Sequence, residues 1–294
     1  VIIMETEIWP NMITWCFKRN VPLILANARL SERSAKGYRR VPRLGKLATR
    51  RIRYIAAQSD ADKQRLISIG AAEQQITVTG SIKMDVELPA SLREQGEVLR
   101  RRLGIGRAIW VAASTHEGEE EQVLKAYHQT RQKHPDSLLV LVPRHPERAD
   151  AVEAMCQREG YEVIRRSADK SAADVKDIYL VDTLGELTQF FAACDVAYIG
   201  GSLVPVGGHN MIEASALGIA VIFGPHLFNF QEISTQLLEA DAARIIHDSD
   251  ALAETLIELL GDANLRHQLG ENGKRFIELN RGALQRLIRL IESC

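Results

Sequence analysis

No cysteine pair in this chain is spaced for metal or redox chemistry. Cys16, Cys156, Cys194 and Cys294 lie far apart with no CxxC, which excludes a zinc ribbon or a disulfide framework and fits a reducing compartment. Long apolar runs are also lacking: none reaches the roughly 20 residues of a membrane span, and none reads as a signal peptide. Charge of one sign is not in excess. The 37 Lys plus Arg against 38 Asp plus Glu leave a formal charge of −1, so a polyanion would have to meet a local patch. The eight histidines include no HExxH. No GxGxxG turn with an acidic residue closing the next strand is present, which disfavours a nicotinamide cofactor. Repeats and low-complexity tracts are absent as well. What remains is a chain of 294 residues, 46% hydrophobic and 26% charged, with the composition of a soluble globular protein suited to two domains.

Short apolar strands alternate with longer amphipathic segments. Strands are predicted at residues 1–4, 22–28, 54–58 and 76–79, and again at 108–113, 137–142, 162–164, 178–181, 196–199, 219–223 and 242–246. This rhythm predicts an α/β protein with parallel sheets covered by helices on both faces, as two doubly wound domains that face each other. Residues 83–97, with Pro89, Ser91 and Gly96 and no clear strand, read as the linker. The expected domains are therefore residues 1–88 and 89–278, with a helix at 279–294 packing back on the first. The opening VIIMETEIWP reads as the middle of a domain, so the first domain is expected to be incomplete.

The most informative stretch is 195–225. An apolar strand runs into Gly200, Gly201 and Ser202, then Gly207 and Gly208, then His209 and Asn210 opening a helix that carries Glu213. Glycines let backbone approach a ligand, and a helix start offers unpaired N–H groups to an anion, so a nucleotide or sugar-phosphate site is expected. Asn210 with Glu213, Ser114 with Glu117 and Thr183 with Glu186 are also capping signatures. Three helix starts converging on one crevice would make a positive pocket without a metal. Arg144, in the PRHP run 143–146, could grip a phosphate or base carbonyl, although a lone arginine at a strand end is usually just solvated. His116 and His209 read as helix-start donors rather than metal ligands. Glu5 and Glu7 follow a strand expected to be buried and suit acid–base chemistry, orientation of a sugar hydroxyl, or a turn; Lys83 suits a departing phosphate or the surface. Residues 29–53 hold ten basic residues against Glu32, with Tyr38 the one aromatic. That pattern fits an anionic lipid surface or phosphorylated lipid better than nucleic acid, with a solvated face as the plain alternative.

METEIWPN, ANARLSERS, TGSIKMD, STHEGEE, LVPRHPER, DTLGEL, GGSLVPVGGHNMIEA and GPHLFNF stand in order, and with them the chain resembles the 3-deoxy-D-manno-octulosonic acid (Kdo) transferases of Gram-negative bacteria over essentially its whole length. The resemblance implies two facing Rossmann-like domains of the GT-B glycosyltransferase architecture, and inverting, metal-independent transfer of Kdo from CMP-Kdo to the lipid A precursor (lipid IVA). It implies no cofactor beyond the donor, no nucleic-acid partner, and work at the cytoplasmic face of the inner membrane. Carried over residue by residue, it implies nucleotide contacts from Pro143, Arg144, Leu184, Gly185, Glu186, Asn210, Met211, Ile212 and Glu213, and transition-state assistance from Glu5 and Lys83. Family members begin with a membrane-associated segment and a motif bearing the glutamate base, and nothing precedes VIIMETE here. A fragment that holds the donor but lacks full activity is therefore expected. The rival readings are a silent nucleotide-binding module and another nucleotide-sugar enzyme of the same architecture.

Overall fold

The structure, a computed structural model, describes residues 1–168 and 175–293. They form two compact units, one of Val1–Asp85 with Leu279–Cys294 and one of Val86–Glu278.

In the first unit, strands β1 (Ile2–Met4), β2 (Ile24–Ala28), β3 (Tyr54–Ala57) and β4 (Ile76–Val78) pair in sequence order, all parallel. Parallel neighbours need crossovers, which α1 (Pro10–Lys18), α2 (Glu32–Arg39) with α3 (Pro42–Thr49), and α4 (Asp60–Ser68) supply. Alternation along β2 and β3 sends Leu25 and Ile55 into a core with Ile13, Cys16 and Leu66, and turns Ala26 and Ala56 to the opposite face. There the small alanines admit Leu287 of a C-terminal helix, Ala283–Glu292. Asp85 fixes that helix: its carboxylate accepts from the N–H groups of Gly282 and Leu284, two donors a helix start leaves unpaired. The left-handed φ of 88° at Gly282 makes the turn into it. β1 is not the buried strand expected before Glu5. It lies at the sheet edge, so only Ile3 is buried while Ile2 and Met4 are exposed.

The second unit holds β5 (Ile109–Thr115), β6 (Leu138–Pro143), β7 (Val163–Arg165), β8 (Ile178–Leu180), β9 (Val196–Ile199), β10 (Ala220–Phe223) and β11 (Ala243–Ile245). They pair in parallel in the order β11-β10-β9-β5-β6-β8-β7. One face buries Trp110, Leu139, Leu141, Tyr198 and Ile222 against Val123, Tyr127, Val152, Leu252 and Leu256. The alternate residues Ile109, Val111 and Ala113 are buried too, so this is a doubly wound sheet covered on both sides.

The helices of this unit are α5 (Leu92–Leu103), α6 (Glu120–Lys133), α7 (Ala149–Arg158), α8 (Leu187–Ala193), α9 (Ile212–Ala216), α10 (Gln231–Glu239) and α11 (Ser249–Gly261). Then α12 (Ala263–Asn280) leads to the C-terminal helix, α13. The segment 83–97 is only partly the expected linker. From Leu92 it is α5, whose Leu92, Leu99 and Leu103 are buried. Gly96 sits so close to α8 that an added Cβ would lie 2.5 Å from that of Ala192. A polar helix with one apolar stripe reads as a loop when proline and glycine are weighed first.

Strand order decides where a ligand can bind. The chain enters at β5, builds outward on one side through β6 to β8, and returns to β9 on the other side of β5. The carboxyl ends of β5 and β9 therefore flank the topological switch point, where ligands sit in sheets of this kind.

Candidate functional site

At that switch point β5 delivers Ser114 and His116, and β9 delivers Gly200, Gly201 and Ser202. The imidazoles of His116 and His209 meet edge to edge, with Nε2 to Nε2 at 2.7 Å and ring planes 2° from parallel. His145, from the end of β6, stands edge-on to His116 with ring centroids 5.6 Å apart. Burial first, then the positive fields of His116 and Arg144, push His209 down to about 4. Burial also lowers His116. These histidines are not the helix-start donors expected, because α6 begins at Glu120 and α9 at Ile212.

The capping expectations change in the same way. Ser114 takes φ 55° at a strand irregularity and caps nothing; the residue preceding α6 is Glu119, and Glu117 lies in the turn before it. Asn210 is one residue early for an N-cap, yet its Oδ1 accepts from the Ile212 N–H at 3.0 Å and its amide donates to Glu213 at 3.1 Å. The Thr183 hydroxyl donates to Glu186. All three helices follow parallel strands and so start on one edge. With α8 seven and α9 five residues long, their aligned dipoles are small.

The glycine loop also works differently from the expectation. The N–H of Gly201 is taken by Glu119, and those of Gly207 and Gly208 by the Gly201 carbonyl at 3.1 and 2.7 Å. The glycines let protein approach protein. At φ 66°, Gly201 lies against the histidine pair, where a Cβ would come within 2.9 Å of His209 Cδ2.

Two carboxylates that spacing did not single out organise this edge. Glu119 is fully buried and accepts five hydrogen bonds: Oε1 from Tyr198 Oη at 2.8 Å, Ser202 N at 3.0 Å and Leu203 N at 2.9 Å; Oε2 from Gly201 N at 2.6 Å and His116 N at 3.0 Å. It ties the loops after β5 and β9 to each other. Glu120 is also buried and grips Arg148 at 2.6 and 3.2 Å, fixing the PRHP turn to α6. In the sequence both sit in the acidic run HEGEEE, which reads as a solvated helix start.

The remaining expected donor-site residues fall on the same edge. Pro143 is buried and ends β6, while Arg144 is exposed, its own N–H bound to the Thr115 carbonyl at 2.9 Å. After β8, Leu184 is exposed and Gly185 leads to Glu186, which Arg166 clamps with Nη2 at 2.7 Å and Nε at 3.2 and 3.3 Å. Arg166 lowers the Glu186 carboxyl below its ordinary value, and Glu186 raises the guanidinium in return. Nothing in the local sequence marks Arg166 as that partner. Met211 and Ile212 are buried, so only their backbone can meet a ligand. Glu213 is half-buried and burial raises its carboxyl. Among the described residues, no group of three or more His, Cys, Asp or Glu is arranged to hold a metal ion.

In the first unit the structure brings together Glu5 and Lys83, which lie 3.7 Å apart. Glu5 takes φ 57°, its N–H bonds the Ala26 carbonyl at 2.9 Å, and its carboxylate also meets Arg29 at 3.4 Å. The Lys83 turn is pinned by Asn27, whose Oδ1 accepts from Ile82 N at 3.1 Å. Glu7 instead accepts from the Trp9 indole and is exposed. The basic stretch runs through α2 and α3 to the turn before β3, and Val41, Leu44 and Leu47 stand exposed between its charges.

Two family models match. Residues 1–86 match 3-deoxy-D-manno-octulosonic-acid transferase (kdotransferase), and residues 107–276 match glycosyl transferases group 1. The chain is 40% identical over 99% of its length to the 3-deoxy-D-manno-octulosonic acid transferase of Haemophilus influenzae and 35% identical, again over 99%, to that of Bordetella pertussis. It spans 68% of each of those relatives. Among solved structures, the C-terminal CMP-Kdo binding domain of WaaA from Acinetobacter baumannii matches 64% of this chain and 98% of its own, with 32% identity and a TM-score of 0.60. Anabaena Alr3699/HepE in complex with UDP and glucose matches 99% of this chain and 77% of its own at 17% identity and a TM-score of 0.56, a likeness of fold.

Proposed function

This chain belongs to the 3-deoxy-D-manno-octulosonic acid transferase family of glycosyltransferases, with two parallel-sheet α/β units of GT-B type, and on that premise we propose that it transfers Kdo from CMP-Kdo to a glucosamine hydroxyl of the lipid A precursor, inverting the anomeric carbon without a metal. The observation that carries this reading is the joint one on the second unit. The match to the CMP-Kdo binding domain covers nearly all of that domain, and the carboxyl edge of this sheet gathers Arg144, Glu186, Asn210 and Glu213 at the strand ends where such folds bind nucleotides.

In this reading Arg144 meets the donor phosphate, pre-aligned Glu186 and Glu213 accept from donor hydroxyl or amino groups, and Leu184, Gly185, Met211 and Ile212 contribute backbone beside Pro143 and Asn210. A glutamate of the preceding segment, as the resemblance implies, deprotonates the acceptor hydroxyl, which attacks the anomeric carbon while CMP departs as an anion. Lys83, oriented by Glu5, offsets the charge growing on that phosphate, the kind of preorganised electrostatic help worth most in transfer between placed groups. The acceptor is lipid-borne, and the first unit suits an anionic membrane face at the cytoplasmic side of an inner membrane. Exposed Trp15 and Phe17 of α1 carry Arg19 and Arg51 over their rings at 4.2 and 5.0 Å. Leu44 and Leu47 of the adjoining α3 stand among the basic residues of 29–53. Each such cation contributes roughly 1 kcal/mol near an anionic surface.

Calorimetric titration of CMP and UDP, run beside a transfer assay with CMP-Kdo and lipid IVA, tests the reading. CMP should bind more tightly than UDP; equal or tighter UDP binding would assign the site to another nucleotide sugar. Co-sedimentation with phosphatidylglycerol vesicles, lost at high salt, checks the membrane face, and retention in the supernatant at low salt removes it.

A further inference from the structure

His116 and His209 lie 93 residues apart in sequence and meet at the switch point of the sheet. Two ring nitrogens 2.7 Å apart are bound through one hydrogen, since two N–H groups pointed at each other at that distance would collide. One ring therefore donates from Nε2 and the other accepts there on its lone pair. In the neutral pair the accepting ring carries its proton on Nδ1, while the donating ring has a bare Nδ1. A further proton has one place to go, that bare Nδ1. The pair then carries a single positive charge, keeps its Nε2–H···Nε2 bond, and has two Nδ1–H donors at its opposite ends, pointing away from each other. Among the described residues neither Nδ1 has a protein partner.

We propose that this histidine pair is a proton-taking receptor for the phosphate of the nucleotide donor: the anion binds with uptake of one solvent proton onto the bare Nδ1, and the Nδ1–H so formed faces it. The inference rests on the donor-site reading above and adds to it one phosphate ligand and a protonation step.

The surroundings support coupling rather than permanent charge. Around the pair stand His145, Arg144 and Arg148 as positive or potentially positive groups, and Glu119 and Glu120 as negative ones. Both carboxylates are engaged elsewhere, Glu119 by five donors and Glu120 by Arg148, so neither is free to form an ion pair with an imidazolium. An empty site thus keeps the rings neutral through burial and like charge. An arriving phosphate supplies the missing negative charge and pulls the proton in. Gly201 gives the rings their room, since a Cβ there would meet His209 at 2.9 Å and His116 at 3.5 Å.

The probe is cytidine 5′-(methyl phosphate), a diester whose own charge stays fixed through neutral pH, titrated calorimetrically in buffers of different ionisation enthalpy. The expected result is uptake approaching one proton per ligand, with affinity falling by up to about tenfold per pH unit between about pH 5 and pH 8. His116→Asn and His209→Asn, each checked for an unchanged melting temperature, should bind with no proton uptake and a flat pH profile. His145→Asn should keep the uptake. Binding with an enthalpy independent of buffer overturns the histidine proposal and leaves the donor reading standing, as does uptake lost in His145→Asn but kept in the other two. Failure of the diester to bind at any pH overturns the donor reading and the pair's role with it.

Discussion

Glu119→Gln removes one charge and no volume from the most heavily bonded side chain at the switch point. The two carboxylate oxygens divide five donors between them: three on Oε1, from Tyr198, Ser202 and Leu203, and two on Oε2, from Gly201 and His116. An amide can keep only one oxygen. In its better orientation the NH2 replaces Oε2 and turns against the N–H groups of Gly201 and His116, leaving two buried donors unpaired. At about 1–3 kcal/mol for each orphaned group, and with the remaining three bonds losing their charge assistance, the loss should be about 4 kcal/mol. For a unit of this size that corresponds to a fall of roughly 8–16 °C in melting temperature. Differential scanning calorimetry measures it directly. CMP titration should show affinity lost in parallel, because Gly201 and Ser202 begin the loop that leads to His209 and Asn210. A melting temperature within about 2 °C of the parent would refute the reasoning, since it would mean that the five contacts are replaceable by water and that Glu119 does not hold the loop.

Lys83→Ala should lower turnover in the transfer assay by roughly 10²-fold or more while CMP affinity stays nearly unchanged, the signature of a group that acts on the departing phosphate; an unaltered kcat would remove Lys83 from the chemistry. Glu213→Ala should weaken CMP binding by about tenfold or more, as expected for loss of a hydrogen bond to a charged group. If it serves only Asn210 and the start of α9, stability will fall by about 1 kcal/mol with affinity intact, and the donor role is lost. Arg166→Ala should release the Glu186 carboxyl upward toward its ordinary value of 4.5. Since a depressed carboxyl stabilises the fold above its unfolded pKa and loses that contribution as pH falls through the folded one, the variant should show a shallower loss of stability on acidification than the parent; identical acid unfolding curves would dismiss the pair.

The chain's local patterns carried much of its architecture. All eleven strands fall within two residues of where runs such as IWVAAST and VAYI placed them, because a short apolar, β-branched segment bounded by turn residues is a local signal. The linker was misread at α5 for the complementary reason: its buried face is a narrow stripe of leucines, and its fit against α8 depends on Gly96 meeting Ala192 far along the chain. The capping signature at Ser114 was displaced by five residues and that at Asn210 by one, because backbone irregularities at the strand ends, invisible to spacing, set where each helix begins.

By itself, then, the sequence determined the α/β class, the strand positions, and the motifs that mark a family of Kdo transferases. Tertiary structure decided which strand ends are neighbours. That choice places His116 against His209, hangs five donors on Glu119, sets Lys83 beside Glu5, and lays Leu287 on Ala26 and Ala56. The physical reason is range. Propensity and periodicity act over a few residues, whereas parallel strands pair across crossovers of dozens, so contacts between loops at their ends are fixed only when the whole sheet has chosen its order.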